Sequence, residues 1–413
     1  MSKTKTEDFA QLRQRWEDGT MSEAEFNGVI DEYLEKDATT RAGSVSPVPL
    51  TWETTYTFPV NEHFITEDYI KRYVFAIGDF NPLYRDAEYA KQSLWGGIIA
   101  PPIFQASAGN SPVFPDKPQI PGLNSFYGGT ENMMYKVMRP GDRIHVISKY
   151  LGIEEKKEAG KPYRLFVPRG QKMIYNDRGE LMGTSTGNEI WMAMPPGSKK
   201  KEKAEKNPFA GRTRPRYTKE QLDEIHRFYD DEMEGKFRRG AEILYWEDVV
   251  EGEEIKPLIR GPLDVSDTVS WIVSAGYSIA FGWKWRALKG DLDRCLIDPD
   301  TGAPHNAIDW HFVDNMAQVA GLPYAHSIGR QNEAIVACAI SNWMGDDGFL
   351  RRLYCAHRVT WFLGETITTK GKVKSKYVKD NEHLVDLDVW NELPDGKKAT
   401  VAEATVKLRS RAD

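Results

Sequence analysis

A short acidic segment followed by a helix start is the first place in this chain where residue types and spacing could do chemistry. In "GDFNPLYRD", Asp79 and Asn81 lie just before Tyr84, and Pro102 follows that tyrosine by 18 positions. A tyrosine with a pKa of about 10 is a poor base at neutral pH, and proline has no N–H to donate. We therefore expect this segment to be structural, with Asp79 and Asn81 holding a turn by local hydrogen bonds.

A second segment has the groups that the first one lacks. His311 precedes Gly329 by the same 18 positions. A histidine can exchange protons near neutral pH, and a glycine amide at the start of a helix can donate to a carbonyl oxygen that gains negative charge. The second segment is therefore the one whose residue types could do chemistry.

The matched spacing extends into an internal repeat. Tyr84 and His311 are 227 positions apart, as are Pro102 and Gly329. After each helix start come strands separated by turns such as "NDRGE" and "LPDGKK", with alternating apolar residues as in "LVDLDVW". A duplicated unit of one apolar helix followed by several strands predicts an α+β fold in which antiparallel sheets wrap around central helices.

Composition limits the classes of protein that are possible. The chain has 413 residues, 40% hydrophobic composition and a formal net charge of −6, which predicts two folded domains and argues against nucleic acid as the main partner. The sequence shows no long apolar run and no secretory leader pattern, so we expect a cytoplasmic protein without membrane contact. Cys295, Cys338 and Cys355 show no metal-binding spacing, and we assign them no role.

The chain divides into four predicted parts. Helical patterns near the start, including Ser22 and Glu25 in a capping-box spacing, predict a helical arm. The run "PPGSKKKEKAEKNPFAGRTRPR" offers little apolar surface and is typical of a solvated linker. The predicted boundaries are a helical arm at 1–49, an N-terminal domain at 50–196, a charged linker and helix at 197–239, and a C-terminal domain at 240–413.

The segment "GDFNPLYRDAEYAKQSLWGGIIAPP" resembles the signature loop of MaoC-like dehydratases and (R)-specific enoyl-CoA hydratases, whose pattern runs G-D-x-N-P-x-H-x-D. The resemblance implies a hot-dog fold, here a fused double hot-dog, and substrates that are acyl thioesters of coenzyme A. In that family an Asp and a His move protons and water, while a glycine N–H at the start of the central helix supports the thioester oxygen. It implies no cofactor apart from the coenzyme A of the substrate, and no metal.

The resemblance assigns different roles to the two halves of this chain. In the C-terminal half, the resemblance implies that His311 is the candidate acid–base group and the Gly329 N–H the candidate oxyanion donor, but Asn306 stands where the family has its Asp. Asp309 is the first choice for the missing carboxylate because it is close in sequence, with Asp298 and Asp300 as alternatives, while Asn306 could orient a water. The insertion before His311 is rich in aromatic residues and is predicted to line or cap the acyl pocket.

Substrate contacts are predicted around both helix starts. The candidates are residues near the thioester, a cation for coenzyme A phosphates, and the loop of the non-catalytic half: Tyr324, His326, Arg330, Asp79, Asn81 and Tyr84.

The sequence favours a hydratase or dehydratase that acts at the 2,3 position of a bulky 2-enoyl-CoA, with the N-terminal half forming a tunnel for the acyl chain. Two alternatives stay open: a non-catalytic acyl-CoA-binding or scaffold subunit beside a thiolase or aldolase, and an acyl-CoA thioesterase. We expect a homo-oligomer, with a partner enzyme of the same pathway as a further possibility. The sequence leaves open the acyl group, the direction and stereochemistry of the reaction, and the choice between coenzyme A and acyl carrier protein.

Overall fold

The protein is described by a computed structural model that covers residues 9–40, 45–47, 64–106, 118, 120–157, 160–197, 209, 212–275, 283–284, 287 and 296–412. Much of the predicted linker and of the aromatic insertion before residue 296 lies outside these ranges, so the predictions made for both segments stay predictions.

The described residues form eight α-helices. They are α1 (Phe9–Asp18), α2 (Glu23–Thr40), α3 (Glu67–Ala76), α4 (Ala87–Gln92), α5 (Lys219–Met233), α6 (Val265–Ser274), α7 (Asp314–Val319) and α8 (Gly329–Met344). Helix α3 begins after Thr66, whose side chain accepts a hydrogen bond from the Tyr69 N–H, and α5 begins with a complete capping box between Thr218 and Gln221.

Twelve strands accompany them within the same ranges. They are β1 (Val45–Pro47), β2 (Leu123–Met134), β3 (Ile144–Lys156), β4 (Arg164–Asn176), β5 (Leu181–Ala193), β6 (Leu258–Arg260), β7 (Leu296–Ile297), β8 (Pro304–His305), β9 (Phe349–His357), β10 (Ile367–Lys379), β11 (Glu382–Glu392) and β12 (Lys398–Leu408). Along β3, β4 and β12 buried residues alternate with more exposed ones, as expected for strands with one face on a core.

Ten of these strands form one continuous antiparallel sheet in the order β1-β3-β4-β5-β2-β9-β12-β11-β10-β6. Each half of the chain contributes five strands, in mirrored order, and the halves join where β2 pairs with β9. This arrangement is a double hot-dog and confirms the predicted α+β class, although the two predicted sheets are joined edge to edge into one.

The repeat is present in the helices as well. Helix α7 begins and ends 227 positions after α4, the offset expected from the sequence. A 3₁₀ turn, Pro82–Tyr84 in the first half and Ala307–His311 in the second, precedes each of these helices. Tyr84 and His311 therefore end equivalent turns, as the repeat predicts.

The central helix is described in one half only. Helix α8 has 16 residues, and all of those from Gln331 to Met344 are buried against the second half of the sheet. Its counterpart in the first half begins as a 3₁₀ turn, Phe104–Ala106, and residues 107–117 lie outside the described ranges.

The predicted N-terminal helical arm consists of α1 and α2. Trp16, Phe26 and Ile30 on these helices pack against Phe166 and Trp191 of the first half of the sheet. The Ser22 hydroxyl accepts a hydrogen bond from the Glu25 N–H at 3.2 Å, which is one half of the predicted capping box.

An ion pair in the interior ties three parts of the chain together. The buried Arg260 guanidinium donates to both carboxylate oxygens of Glu232 at 2.8 Å, and to the backbone oxygens of Ile77 and Gly78 at 2.8 and 2.7 Å. It thereby joins β6, helix α5 and the segment before the Asp79 loop. A buried pair of this kind is costly to break because the remaining charge loses its partner.

Replacing this arginine should cost far more than replacing a surface arginine. We expect Arg260→Met to lower the free energy of unfolding by about 3–5 kcal/mol, since Glu232 would keep an unpaired buried charge. The matched control is Arg409→Met, whose exposed pair with Asp347 is expected to contribute about 0–1 kcal/mol. Urea denaturation measures both, and the double variant Arg260→Met/Glu232→Leu should recover part of the loss. Equal losses in the two single variants would contradict this account.

Candidate functional site

The loop from Asp79 to Tyr84 in the first half of the chain packs against the central helix α8 of the second half. Asp79 accepts a hydrogen bond from the Asn81 N–H at 2.9 Å, and Asn81 accepts one from the Leu83 N–H at 3.0 Å, the local bonds expected from the sequence. Tyr84 is buried, and its hydroxyl donates to Ser341 of α8 at 3.3 Å. Burial raises the pKa of Asp79, and it raises the pKa of Tyr84 well above its usual value, so the Tyr84 hydroxyl is not a base at neutral pH.

A pocket open to solvent lies beside this loop. Tyr84 and Pro102 line it together with Met344 and Phe349 from the second half. Its lining is largely apolar, and the Gln105 side chain on its wall donates to the backbone oxygens of Met133 and Thr184. Two charged residues, Lys136 and Asp346, also line the pocket, and its lining contains no histidine.

The equivalent loop of the second half ends on the predicted acid–base residue. Asn306 caps the 3₁₀ turn by accepting from the Ile308 N–H at 2.9 Å, the same capping role that Asn81 has in the first half. His311 Nδ1 lies 3.0 Å from the carbonyl oxygen of His326, and the two rings are 4.2 Å apart. That contact makes Nδ1 the donor and leaves Nε2 as an acceptor. Burial lowers the pKa of His311 to about 4, so its imidazole is neutral at pH 7.

The three candidate carboxylates form a separate cluster. Asp309 Oδ2 lies 2.7 Å from His305 Nδ1, and Asp298 lies 3.6 Å from the other nitrogen of the same ring. Asp300 accepts from the Asn315 side chain at 2.8 Å. These contacts turn the acids toward His305 and Asn315, and none of the described hydrogen bonds joins one of them to His311.

Gly329 opens α8 at the boundary between the two halves. A Cβ atom at this position would lie 2.3 Å from Cδ1 of Tyr127 on β2, and 3.0 Å from Nε2 of His357 at the end of β9. Only glycine lets these two rings approach the helix start so closely. Gly329, Tyr127 and His357 are all partly accessible to solvent, so the helix start is not sealed.

A buried glutamate lies one turn along the helix from Gly329. Glu333 is fully buried and accepts hydrogen bonds from the Thr130 hydroxyl at 2.5 Å and the Tyr127 hydroxyl at 3.1 Å. Its Oε1 also lies 3.4 Å from Nε2 of His357, whose Nδ1 lies 3.0 Å from the Thr400 hydroxyl. The helix start therefore has a carboxylate and an imidazole held in one hydrogen-bonded chain.

The sequence did not identify this Glu333–His357 pair. Glu333 could have been noticed as a charge inside an otherwise apolar helix, on the same face as Gly329 because the two are four residues apart. His357 gives no such signal, since its approach to the helix depends on how β9 pairs with its neighbours.

The remaining candidates lie around the same end of α8. Arg214 lies over the ring of Tyr324 at 4.8 Å, and His326 pairs with Phe362 as a backbone bridge. Burial lowers the pKa of His326 well below its usual value. Arg330 is partly exposed and is close enough to Lys172 of β4 for its charge to act on that amine.

Comparisons with known proteins place the chain among MaoC-like folds. Residues 53–184, about a third of the chain, match a family described as the FAS1-like dehydratase domain region. A solved MaoC-like dehydratase aligns with 16% identity over 89% of this chain and 99% of its own, with a TM-score of 0.59. A MaoC domain protein from Chloroflexus aurantiacus aligns with 11% identity over 90% and 96%, with a TM-score of 0.51. The search of curated protein sequences gave no match.

These findings confirm the predicted resemblance: the chain has the double hot-dog fold of MaoC-like dehydratases. The family match over the first half also supports the broader class of dehydratases and hydratases. Among the described residues, no helix has the length and apolar character needed to cross a membrane, and no three side chains group as a metal site.

The low pKa of His311 predicts a loss of stability in mild acid. The ordinary value is 6.5 and the folded value about 4, so between these pH values the unfolded chain binds a proton that the folded chain does not. Stability is therefore complete above pH 6.5 and falls as the pH drops toward 4. Because the side chain is partly accessible, we expect His311 to account for about 1–2 kcal/mol between pH 7 and pH 5.

His311→Gln should flatten this dependence, because Gln can still donate to the His326 carbonyl but does not titrate. Urea denaturation at a series of pH values measures it, with His226→Gln on the exposed face of α5 as control. The same acid slope in wild type and His311→Gln would contradict the assignment.

Proposed function

We propose that the protein is a hydratase or dehydratase that adds or removes water at the 2,3 position of an acyl-CoA thioester, at the start of α8. The observation that carries this proposal is the convergence of Gly329, His357 and Glu333 at a helix start that solvent can reach. A base, an acid and an oxyanion donor are what this reaction requires.

The Gly329 N–H is the proposed donor to the thioester oxygen. The first N–H groups of an α-helix have no partner within the helix, and the helix dipole favours negative charge at this end. As water adds to C3 of a 2-enoyl thioester, charge moves onto the thioester oxygen. One oxyanion-hole donor typically contributes about 3–4 kcal/mol to such a transition state.

Proton transfer is the proposed task of His311 and the Glu333–His357 pair. In hydration, one group takes a proton from water as its oxygen bonds to C3, and another gives a proton to C2, so that one molecule of water is added overall. The neutral His311 can accept at Nε2. Glu333 supplies the carboxylate that the Asn306 loop lacks, and it holds the His357 ring beside Gly329.

The first half of the chain is proposed to hold the acyl group. Its loop has no suitable proton-transfer residue, and it lines a pocket at the Met344 end of α8, the end opposite Gly329. A bulky acyl chain, bound with coenzyme A as its carrier and no separate cofactor, is proposed on the sequence grounds given above. A homo-oligomer, a partner enzyme of the same pathway and a cytoplasmic location stay proposals on the sequence grounds given above.

Kinetics of single variants test where the proton chemistry lies. We expect His311→Gln and His357→Gln each to lower kcat for hydration of a 2-enoyl-CoA by about 10²- to 10⁴-fold, the usual contribution of a positioned acid or base. The exposed His226→Gln is the control for loss of a histidine. Absorbance of the enoyl thioester near its conjugated band follows the reaction, and thiol release follows any hydrolysis.

The Tyr84→Phe variant tests whether the first half of the chain holds the reaction centre, because it removes only the hydroxyl that donates to Ser341. Loss of turnover in Tyr84→Phe with normal turnover in both histidine variants would move the site to the first half. Thiol release without hydration would replace the proposal with a thioesterase.

A further inference from the structure

The bulges in β2 and β9 show which strand residues of the two halves are equivalent. Where β2 pairs with β5, Gly128 is an extra residue that directly follows Tyr127. Where β9 pairs with β12, Arg351 is an extra residue that directly follows Leu350. A β-bulge places one unpaired residue at a defined position in a strand, so it marks the register of the repeat. Tyr127 and Leu350 are therefore counterparts, each just before its bulge.

The pairing of β2 with β9 supports the same equivalence. Its five residue pairs are centred on Glu131 and Tyr354, which are 223 positions apart, and the two bulge residues are also 223 positions apart. A two-fold relation between the halves must exchange the members of the central pair, as this offset does. It is smaller than the offset of 227 between the helices because the segment from the helix start to the strand is shorter in the second half. Met134 at the end of β2 is thus the counterpart of His357 at the end of β9.

Four positions around the start of α8 have counterparts that line one pocket. The positions are His311, Gly329, His357 and Tyr127, and their counterparts, in the same order, are Tyr84, Pro102, Met134 and Leu350. All four counterparts line the pocket beside the Asp79 loop. Because the two halves share one fold, the repeat indicates that the four residues at α8 also face one space. The counterparts offer no imidazole, and the proline offers no N–H, so the polar groups of this arrangement are concentrated at α8.

Two glycines allow Tyr127 to contact the start of α8. A Cβ atom at Gly129, just after the bulge, would lie 2.0 Å from the carbonyl oxygen of Cys355 on β9, and the φ of Gly129 is 131°. A Cβ atom at Gly329 would lie 2.3 Å from Cδ1 of Tyr127. Bulges beside functional sites re-aim neighbouring side chains, and Tyr127 directly precedes this bulge. Tyr127, Gly329 and His357 are all partly accessible to solvent, so the tyrosine borders the space that a thioester would enter.

The Tyr127 hydroxyl and the His357 ring share one carboxylate oxygen. Tyr127 donates to Oε1 of Glu333 at 3.1 Å, and Nε2 of His357 lies 3.4 Å from the same atom. The tyrosine and histidine rings are 5.3 Å apart. Hydrogen bonds to a carboxylate are directional, so the Tyr127 hydroxyl fixes which way Oε1 faces. The other oxygen, Oε2, is held by the Thr130 hydroxyl at 2.5 Å.

We propose that Tyr127 is a positioning residue of the reaction centre at Gly329, and that it acts by orienting Glu333 toward His357. The residue belongs to the first half of the chain, so the first half contributes directly to proton transfer at the helix start of the second half. The inference rests on the proposed function for the reaction, and it adds a residue on which the rate depends.

The Tyr127→Phe variant tests the role of the hydroxyl, because it keeps the ring that packs against Gly329. We expect it to lower kcat for hydration of a 2-enoyl-CoA by about 10- to 100-fold and to change KM by less than about threefold, since the substrate would bind as before. The matched control is Tyr150→Phe, which removes a hydroxyl that donates to Asp37 of the helical arm at 2.7 Å and should keep kcat. A lower free energy of unfolding in Tyr127→Phe with unchanged kcat would show a merely structural role and overturn the inference.

A double-mutant cycle tests whether Tyr127 acts through Glu333. Glu333→Gln removes the carboxylate but keeps an oxygen that can accept from Tyr127. If the tyrosine acts through the carboxylate, adding Tyr127→Phe to Glu333→Gln should lower kcat by less than about threefold further. The same 10- to 100-fold loss in both backgrounds would overturn the proposed route. Thermal unfolding checks that each variant folds, and if Glu333→Gln does not fold, the measurement on His357 described next decides.

The nitrogen signals of His357 report on its orientation independently of catalysis. We expect Tyr127→Phe to shift these signals in NMR spectra of protein labelled with ¹⁵N at histidine, and to leave those of the exposed His226 in place. His357→Gln and His226→Gln assign the signals by their loss. Shifted His357 signals in a protein that hydrates no enoyl thioester would support the coupling and overturn the hydratase proposal. Unchanged His357 signals would overturn the inference even if the wild-type protein is a hydratase.

Discussion

The burial of the central helix α8 is the constraint on which the arrangement of the two halves depends. It is buried from Gln331 to Met344, so the polar side chains in this stretch depend on protein partners. Many of these partners come from the first half of the chain: Tyr84 reaches Ser341, and Thr130 and Tyr127 reach Glu333. The first half therefore completes the environment of a helix that belongs to the second. This constraint explains why the Asp79 loop keeps its shape although its turn ends in a tyrosine.

Sequence reasoning succeeded where the information is local or repeated. The 227-residue offset places α7 relative to α4, and the turn ends at Tyr84 and His311 follow from it. Asn and Asp side chains bond to nearby N–H groups in both loops, which depends only on residue type and spacing. The α+β class also follows, because alternating strands after an apolar helix leave few other arrangements.

Sequence reasoning was less informative where a contact depends on the register of paired strands or on the direction of a side chain. Asp309 is close to His311 in sequence, but the 3₁₀ turn points its carboxylate at His305. His357 lies beside Gly329 through the packing of α8 on β9, and Thr130 reaches Glu333 only across the pairing of β2 with β9. No single stretch of sequence carries these relations, since each is set by how distant strands align.

The buried carboxylate of Glu333 shows how duplication and site formation are linked. A carboxyl group in the interior needs hydrogen-bond partners, and here they come from both halves: Thr130 and Tyr127 from β2, and His357 from β9. Separated halves would leave Glu333 without two of these partners, and the His357 ring without its link through Glu333 to β2.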